Sequence, residues 1–289
     1  MMIEPPNRKM AETERNQDEV RVIAVDWSGA LAGARRKIWL AETDGISVRR
    51  LESGRNREEL IEHLVTLSRQ NPRFVVGLDF AFSLPHWFLR DRGLASASDL
   101  WDLAQRESER WLEECSAPFW GRKRVKKTKV EEEFRRTERA VPGTTGIRPK
   151  SVFQVYGAGA VGTGSLRGLP FLKQLHDAGF SVWPFDPPGW PVVVEIYPRL
   201  LTGPINKSSH ADRLEYLAST GLNLQPSMLS DAASCEDAFD AVVSAVNMAR
   251  EWKELSALTP ITEPQIRLEG VIWHPPWEES LAIDRMTSA

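Results

Sequence analysis

The sequence predicts an α/β fold in which a mixed sheet is flanked by helices. Three observations lead to this prediction: a short apolar run that ends at Asp26, a strand-like segment joined by Asp44-Gly45 to an alternating segment, and a helical pattern followed by a second apolar run that ends at Asp79. Short apolar runs predict buried strands, and alternation across a tight turn predicts an antiparallel hairpin. Because a crossover helix favours parallel strands, the runs before Asp26 and Asp79 are expected to be parallel.

The other elements are predicted from the same two periodicities. Strands are expected at 21–26, 36–43, 46–51, 74–79, 151–156, 181–183 and 191–196. Helices are expected at 57–67, 98–114, 166–178, 211–219 and 236–248. Asn56 and Ser208-Ser209 precede two of these helices and are predicted caps. The segment 266–273 is expected at a sheet edge or on the surface.

Composition and charge place the chain among globular proteins. We predict a disordered tail at residues 1–19, one domain at 20–275 that carries a basic insertion at 115–150, and a C-terminal tail at 276–289. A net charge of −3 gives no global attraction to nucleic acid or to membranes. Any affinity for nucleic acid or membranes therefore has to come from a local cluster of basic residues.

Cysteine usage and apolar runs bear on the compartment. Cys115 and Cys235 form neither a disulfide framework nor a metal-binding spacing, which predicts a reducing compartment. Residues 1–18 lack the apolar core of a signal peptide, and no apolar run reaches the ~18 residues of a membrane span. We therefore expect a cytoplasmic protein without a membrane partner.

An apolar strand that ends in a carboxylate occurs three times, at Asp26, Asp79 and Glu195. A carboxylate at the end of a buried strand is costly unless a cation or a hydrogen-bond network accompanies it. The alternative for Asp26 is local capping of the following turn. If the strands that end at Asp26 and Asp79 are adjacent in the sheet, these two aspartates lie within reach of one metal site.

The helix predicted at 236–248 adds two more acidic residues. Asp237 and Asp240 are three positions apart, so they share one side of the helix. Asp240 adjoins the apolar stripe that is expected to face the sheet. The alternative is that both residues complement the helix dipole, which needs no function.

A basic segment and a glycine-rich segment are candidate phosphate-binding sites. The basic residues are Arg122, Lys123, Arg124, Lys126, Lys127 and Lys129. Such a block is typical of a solvated loop, and it also suits a nucleic-acid backbone. The Gly157–Gly164 loop contains G-x-G-x-x-G, a pattern typical of dinucleotide binding, with Asp186 as the candidate ribose ligand. Against this interpretation, the strand that follows is short, and too little α/β chain remains to complete such a domain.

Six blocks of the chain resemble one protein family. They read AVDWSG, GLDFAFSLP, VYGAGAVGTGSLRG, VEIYPRL, EDAFDAVVSA and EGVIWHP. Over roughly Val20 to His274 they resemble domain-of-unknown-function family 429, which is placed among the RNase H-like folds and described as predicted nucleases. The resemblance implies an RNase H-like mixed sheet flanked by helices, with a basic insertion and a glycine-rich loop insertion. It also implies that Asp26, Asp79 and Asp240 meet at one edge, with Glu195 and Asp237 as further candidates.

The chemistry of these residues suits a hard divalent cation. Mg²⁺ and Mn²⁺ prefer oxygen ligands and need only one or two carboxylates each beside substrate phosphate. Our first hypothesis is a metal-dependent nuclease in which Asp26, Asp79, Asp237 and Asp240 hold Mg²⁺ or Mn²⁺. Asp26, Asp79, Glu195 and Asp240 would be its catalytic residues. The basic arm at 122–139 would bind nucleic acid, through the basic residues from Arg122 to Lys129.

Two other classes of function remain open at this point. A nucleotide-dependent phosphotransferase or dinucleotide-binding protein would use the Gly157–Gly164 loop. The first strand of actin-like sugar kinases ends in a similar Asp and Gly, but these enzymes also need a second glycine-rich phosphate loop after another Asp. In this chain Asp79 is followed by Phe-Ala-Phe, which counts against a kinase. A non-catalytic nucleic-acid-binding module would keep the fold and use only the basic segment and tryptophans.

Overall fold

The computed structural model describes residues 20–45, 47–222 and 224–275. The tails predicted at 1–19 and 276–289 lie outside the described residues. Within the described part, seven strands form one sheet: β1 (Arg21–Asp26), β2 (Trp39–Asp44), β3 (Ser47–Glu52), β4 (Phe74–Leu78), β5 (Ser181–Val182), β6 (Val192–Ile196) and β7 (Ile272–Trp273).

The sheet is mixed, as predicted. Its order is β3-β2-β1-β4-β6-β5, and β7 also pairs with β6. β2 runs antiparallel to β1 and β3, which confirms the hairpin. β1, β4 and β6 are adjacent and parallel, and β5 and β7 run parallel to β6. The carboxyl ends of the three central strands therefore lie at the same edge of the sheet.

Helices cover both faces of this sheet. In the described ranges they are α1 (Ala34–Lys37), α2 (Arg57–Gln70), α3 (His86–Arg90), α4 (Ala97–Glu114), α5 (Arg136–Arg139), α6 (Val161–Asp177), α7 (Pro198–Thr202), α8 (His210–Ser219), α9 (Pro226–Ser234), α10 (Glu236–Arg250), α11 (Trp252–Ser256) and α12 (Pro264–Glu269). The predicted caps are confirmed, because Asn56 accepts from the Glu59 N–H and Ser209 accepts from the Asp212 N–H.

Several predicted elements are corrected by the structure. Residues 36 and 37, predicted in a strand, end α1, and β2 begins at Trp39. The predicted strand 151–156 is wrong, because only Gln154 pairs there, in a single bridge with Trp120. Its apolar residues are buried, but they lie in a loop. The apolar pattern of this segment therefore indicated burial and not a strand. The helix predicted from 166 begins at Val161, and residues 266–273 divide between α12 and β7.

Side chains of the central strands alternate between two hydrophobic cores. Val25 and Leu78 pack with residues of α2, α4 and α6, whereas Ala24 packs with residues of α10. Successive side chains of a strand point to opposite faces of the sheet. Asp26 and Asp79 therefore belong to the face that α10 covers.

Gly77 allows α10 to lie close to the sheet. A Cβ atom at Gly77 would lie 2.5 Å from Met248 Sδ and 2.9 Å from Ile196 Cγ2. The buried Met248 of α10 thus occupies the space that any side chain of residue 77 would need. This close approach brings the first turns of α10 to the edge where β1 and β4 end.

No helix in residues 20–45, 47–222 and 224–275 combines the length and the apolar character that crossing a membrane requires.

Candidate functional site

Two aspartates end adjacent parallel strands. Asp26 is the last residue of β1, and Asp79 directly follows β4. The Asp79 N–H donates to the Val25 carbonyl oxygen at 3.1 Å, which continues the pairing of the two strands by one residue. Both aspartates are half-buried. β1 and β4 are therefore adjacent, which a metal site shared by Asp26 and Asp79 requires.

Burial and mutual repulsion raise the pKa values of the aspartates at this edge. The pKa of Asp26 is raised well above its ordinary value by burial and then by the charges of Asp79, Asp240 and Asp237. The pKa of Asp79 is raised by burial and then by the charge of Asp240. Burial raises the pKa of Asp240 to about 6 and also raises that of Asp237. These four residues therefore form one electrostatic unit, which we call the aspartate site.

Lys207 supplies a positive charge at the aspartate site. Its Nζ forms an ion pair with Asp240 Oδ2. The other oxygen, Asp240 Oδ1, is buried and has no hydrogen-bond partner. Arg213 fixes the loop that carries Lys207, because its guanidinium donates to the Lys207 carbonyl and, at 2.8–2.9 Å, to that of Ala233. One oxygen of a buried carboxylate thus remains available to a cation.

The aspartate oxygens are not drawn into a tight cluster. In the described part of the chain, only His86, Glu132 and Glu269 form a group of three whose ligand atoms all lie within 4.8 Å of one another. Like charges repel, and a cation draws carboxylates together. The spacing of the aspartates is set by the strands and the helix that carry them.

Glu195 differs in position from the other predicted catalytic residues. It pairs in register with Leu78, so its side chain faces the core opposite α10. Both of its oxygens accept from the buried guanidinium of Arg135, and Oε2 also accepts from the Phe82 N–H at 2.8 Å. Arg135 also binds Glu138 Oε1 at 2.6 Å. Glu195 therefore anchors Arg135 and the turn after Asp79, and its predicted catalytic role stays a prediction.

A cleft of about 630 Å³ opens beside the aspartate site. Asp79, Asp237 and Tyr197 line it on the side of the sheet edge. Lys37 and Lys150, both exposed, lie at its border. Its volume falls in the range that small-molecule sites occupy, about 300–1,000 Å³. The cleft combines acidic groups that can bind a cation with basic groups that can bind phosphate.

The glycine-rich loop forms another wall of the same cleft. Residues 159–161 and 163–165 line it, and α6 begins there without a side-chain cap. The loop does not follow a strand, so the dinucleotide-binding context predicted from the sequence is absent from these residues. Gly162 of this loop serves close packing instead, and so does Gly29, which lies outside the loop and packs against it. A Cβ on Gly29 would lie 2.6 Å from the Gly164 nitrogen, and a Cβ on Gly162 would overlap the Val152 carbonyl oxygen.

Replacing Gly162 with alanine is expected to reduce the free energy of unfolding by about 1–2 kcal/mol. Overpacking costs about 1–3 kcal/mol, and alanine recovers up to ~1 kcal/mol of helix propensity. Gly143→Ala is the matched control, because a Cβ there meets nothing within 4 Å. Urea unfolding of both variants measures the difference. Equal stability of the two variants would show that the loop adjusts without cost.

The basic segment lies on the surface, although part of the wider stretch 122–139 does not. Its six predicted nucleic-acid-binding residues are exposed: Arg122, Lys123, Arg124, Lys126, Lys127 and Lys129. Lys127 pairs with Glu133 at 2.5 Å and lies 4.8 Å from the Trp120 ring centroid. Arg135, in contrast, is buried against Glu195, which corrects the prediction that all of 122–139 forms a basic arm.

Sequence reasoning did not identify Lys207, Arg213 or Tyr197. Lys207 lies in a loop before the Ser209 cap, and a single lysine in such a position carries no recognisable pattern. Tyr197 follows Glu195 by two residues, and burial together with the charge of Asp79 raises its pKa. Only the three-dimensional arrangement reveals that these groups adjoin the aspartates.

Comparisons with known proteins do not assign a function to this site. No protein-family model, curated protein or solved structure matches the chain. The function is therefore inferred from the chemistry of the residues that the fold brings together.

Proposed function

We propose that this protein is a divalent-metal-dependent phosphodiesterase of the RNase H-like type that cleaves nucleic acid. The observation that carries the proposal is the convergence of Asp26, Asp79 and Asp240, from β1, β4 and α10, on one edge, where burial and then neighbouring acidic charges raise their pKa values. The same three positions are those that the family resemblance implies. A bound divalent cation relieves the repulsion among such carboxylates.

The residues at the aspartate site fit Mg²⁺ or Mn²⁺. The donors are carboxylate oxygens, which these hard ions prefer, and the buried Asp240 Oδ1 has no other partner. Asp26 and Asp79 would hold the metal jointly, and Asp237 or Asp240 would complete its ligands. When bound, such ions activate water and stabilise the leaving oxygen of a phosphodiester.

The remaining groups of the site would act on the substrate. Lys37 and Lys150 border the cleft and would bind phosphate oxygens of the nucleic-acid backbone. Lys207, already paired with Asp240, would place positive charge near the reacting phosphate. Glu195 acts as a positioning residue, because it holds the Phe82 N–H three residues after Asp79. The exposed segment from Arg122 to Lys129 would add sequence-independent affinity for the backbone.

Isothermal titration with Mn²⁺ is the first test of the proposal. We expect the wild type to bind Mn²⁺ and both Asp26→Asn and Asp240→Asn to bind it at least about tenfold more weakly, since each removes a charged ligand. Glu62→Gln is the control, because it removes an exposed carboxylate from α2. Failure of the wild type to bind Mn²⁺, even with an oligonucleotide present, would refute the proposal.

Cleavage assays then distinguish catalysis from binding alone. Single-stranded RNA, single-stranded DNA and duplexes would be incubated with the protein and Mn²⁺, beside Asp26→Asn as the inactive control. Binding of an oligonucleotide without cleavage, unaffected by Asp26→Asn, would favour a non-catalytic binding module. Metal-dependent cleavage that Asp26→Asn abolishes would support the nuclease.

Nucleotide binding at the Gly157–Gly164 loop is the second candidate function. The observation that favours it is that the loop borders the cleft and that α6 begins there without a side-chain cap. Free N–H groups at a helix N-terminus bind phosphate. Titration with ATP and with NAD tests it directly, and micromolar binding of either without metal would favour this candidate over the nuclease.

A further inference from the structure

Three side chains that are distant in sequence converge away from any role described so far. They are His86 at the start of α3, Glu132 in the segment before α5, and Glu269 at the end of α12. His86 Nδ1 lies 3.2 Å from Glu269 Oε1 and 3.6 Å from Glu132 Oε2. Glu269 is fully buried, and the other two are partly exposed.

Hydrogen bonding within this group leaves one oxygen unsatisfied. A single Nδ1–H can donate only one hydrogen bond, yet His86 Nδ1 faces two carboxylate oxygens. Glu269 Oε1 accepts from the His86 backbone N–H at 2.8 Å and from Gln265 Nε2 at 3.2 Å, and the Gln265 side chain would give up its bond to a cation bound there. Glu132 Oε2 is buried and has no hydrogen-bond partner. A buried carboxylate oxygen without a donor is costly, so this arrangement favours a cation at its centre.

We propose that His86, Glu132 and Glu269 bind a Zn²⁺ ion. Zinc takes nitrogen and carboxylate oxygen at about 2.0–2.2 Å in tetrahedral sites, which separates neighbouring ligand atoms by about 3.3–3.6 Å. His86 Nδ1 lies 3.2 Å from Glu269 Oε1 and 3.6 Å from Glu132 Oε2, close to that spacing. Two carboxylates balance the charge of Zn²⁺, and His86 binds through Nδ1 as the neutral imidazole. The partial exposure of His86 and Glu132 leaves room for a water molecule as the fourth ligand.

The outer oxygens of both glutamates are already held in place. Glu132 Oε1 accepts from Arg139 at 2.5 Å, and Glu269 Oε2 accepts from the Arg136 N–H at 2.6 Å. Such outer hydrogen bonds orient the ligands of metal sites and raise affinity. Both donors come from the short helix α5, so the ligand positions are fixed from the same side.

Zinc at this position would join three separate parts of the chain. α3 follows β4, α12 precedes β7, and the segment with Glu132 continues directly into Arg135. Arg135 and Glu138 line the cleft. Because Glu132 lies three residues before Arg135, an ion bound to Glu132 would also restrain the part of the chain that forms this wall of the cleft. This role is independent of the aspartate site and of the phosphodiesterase proposal.

Titration of the full-length protein with Co²⁺ and Zn²⁺ tests the proposal. We expect one Co²⁺ per chain with the visible absorption of tetrahedral cobalt, displaced by Zn²⁺. We also expect Zn²⁺ at a hundredfold excess over its Kd to raise the unfolding temperature by about 5–10 °C. Glu132→Gln and His86→Gln should weaken binding about 100-fold or more, because each removes a ligand.

Two controls make the result specific. Glu131→Gln alters the adjacent exposed carboxylate, which pairs with Arg90, and should bind Co²⁺ as the wild type does. Asp240→Asn should also retain tetrahedral cobalt. The proposal is overturned if the wild type gives no tetrahedral spectrum, if Glu132→Gln binds unchanged, or if Asp240→Asn abolishes binding. Should His86→Gln fail to fold, Glu132→Gln alone decides, since Glu132 is partly exposed.

Discussion

Replacing Arg135 with alanine is expected to lower the free energy of unfolding by about 3–5 kcal/mol. Arg135 is 1% exposed and pairs with both Glu195 and Glu138, which are buried as well. Removing the guanidinium leaves two carboxylates buried without a counter-ion and removes its hydrogen bond, at 3.0 Å, to the Glu269 carbonyl. Urea unfolding at neutral pH measures the loss.

Arg139→Ala is the matched control for this prediction. Arg139 is an exposed arginine at the end of α5, the helix that directly follows Arg135, and pairs with Glu132, so its removal should cost less than about 1 kcal/mol. Arg135→Lys should recover little of the stability, because lysine cannot donate two parallel hydrogen bonds to Glu195. If Arg135→Ala and Arg139→Ala lower the free energy of unfolding by similar amounts, the buried ion pairs of Arg135 stabilise the protein no more than an exposed pair does, and the prediction is wrong.

The protein without added metal is expected to become less stable as the pH rises from about 4 to about 7. The pKa of Asp240 is about 6 in the folded protein, above the ~3.9 of an unfolded aspartate. The folded state therefore binds more protons in this window, and stability falls as the pH rises through it. The shift of about 2 pKa units corresponds to about 3 kcal/mol at most. The raised pKa values of Asp26 and Asp79 act in the same direction.

Unfolding measured at pH 5 and pH 8, with EDTA and with Mn²⁺, checks this prediction. Mn²⁺ should stabilise the protein more at pH 8, where the aspartates are charged. The difference between wild type and Asp240→Asn isolates one residue, which matters because the lowered pKa values of His63 and His274 act in the opposite direction. An identical pH profile for the variant would contradict the electrostatic origin of the effect.

Much of the sheet could be predicted because its signals are local. The hairpin turn at Asp44-Gly45, the cap Asn56 and the apolar runs before Asp26 and Asp79 each specify structure within a few residues. The crossover rule predicted that the strands before Asp26 and Asp79 are parallel, which the structure confirms, but it left open whether they are adjacent. The helix with Asp237 and Asp240 was predicted from its periodicity, and its contact with the sheet follows from its apolar face.

The orientation of Glu195 could not be predicted in the same way. All five residues of β6 are buried, so the run shows no alternation from which to assign faces. Only the register with β4 shows that Glu195 points to the same side as Leu78 and away from α10. The pairing with Arg135 joins residues 60 positions apart, and no local pattern in the sequence specifies it.

Gly77 bears on the packing of the two elements that carry Asp79 and Asp240. Asp79 follows it by two residues on β4, and Met248, which fills its missing side-chain space, lies two helical turns beyond Asp240. A larger residue at position 77 would displace the ends of two side chains, those of Met248 and Ile196. Met248 belongs to the helix that carries Asp240, and residue 77 belongs to the strand that precedes Asp79. The missing side chain of Gly77 thus leaves room for the helix and the strand that carry the two halves of the aspartate site to pack against each other.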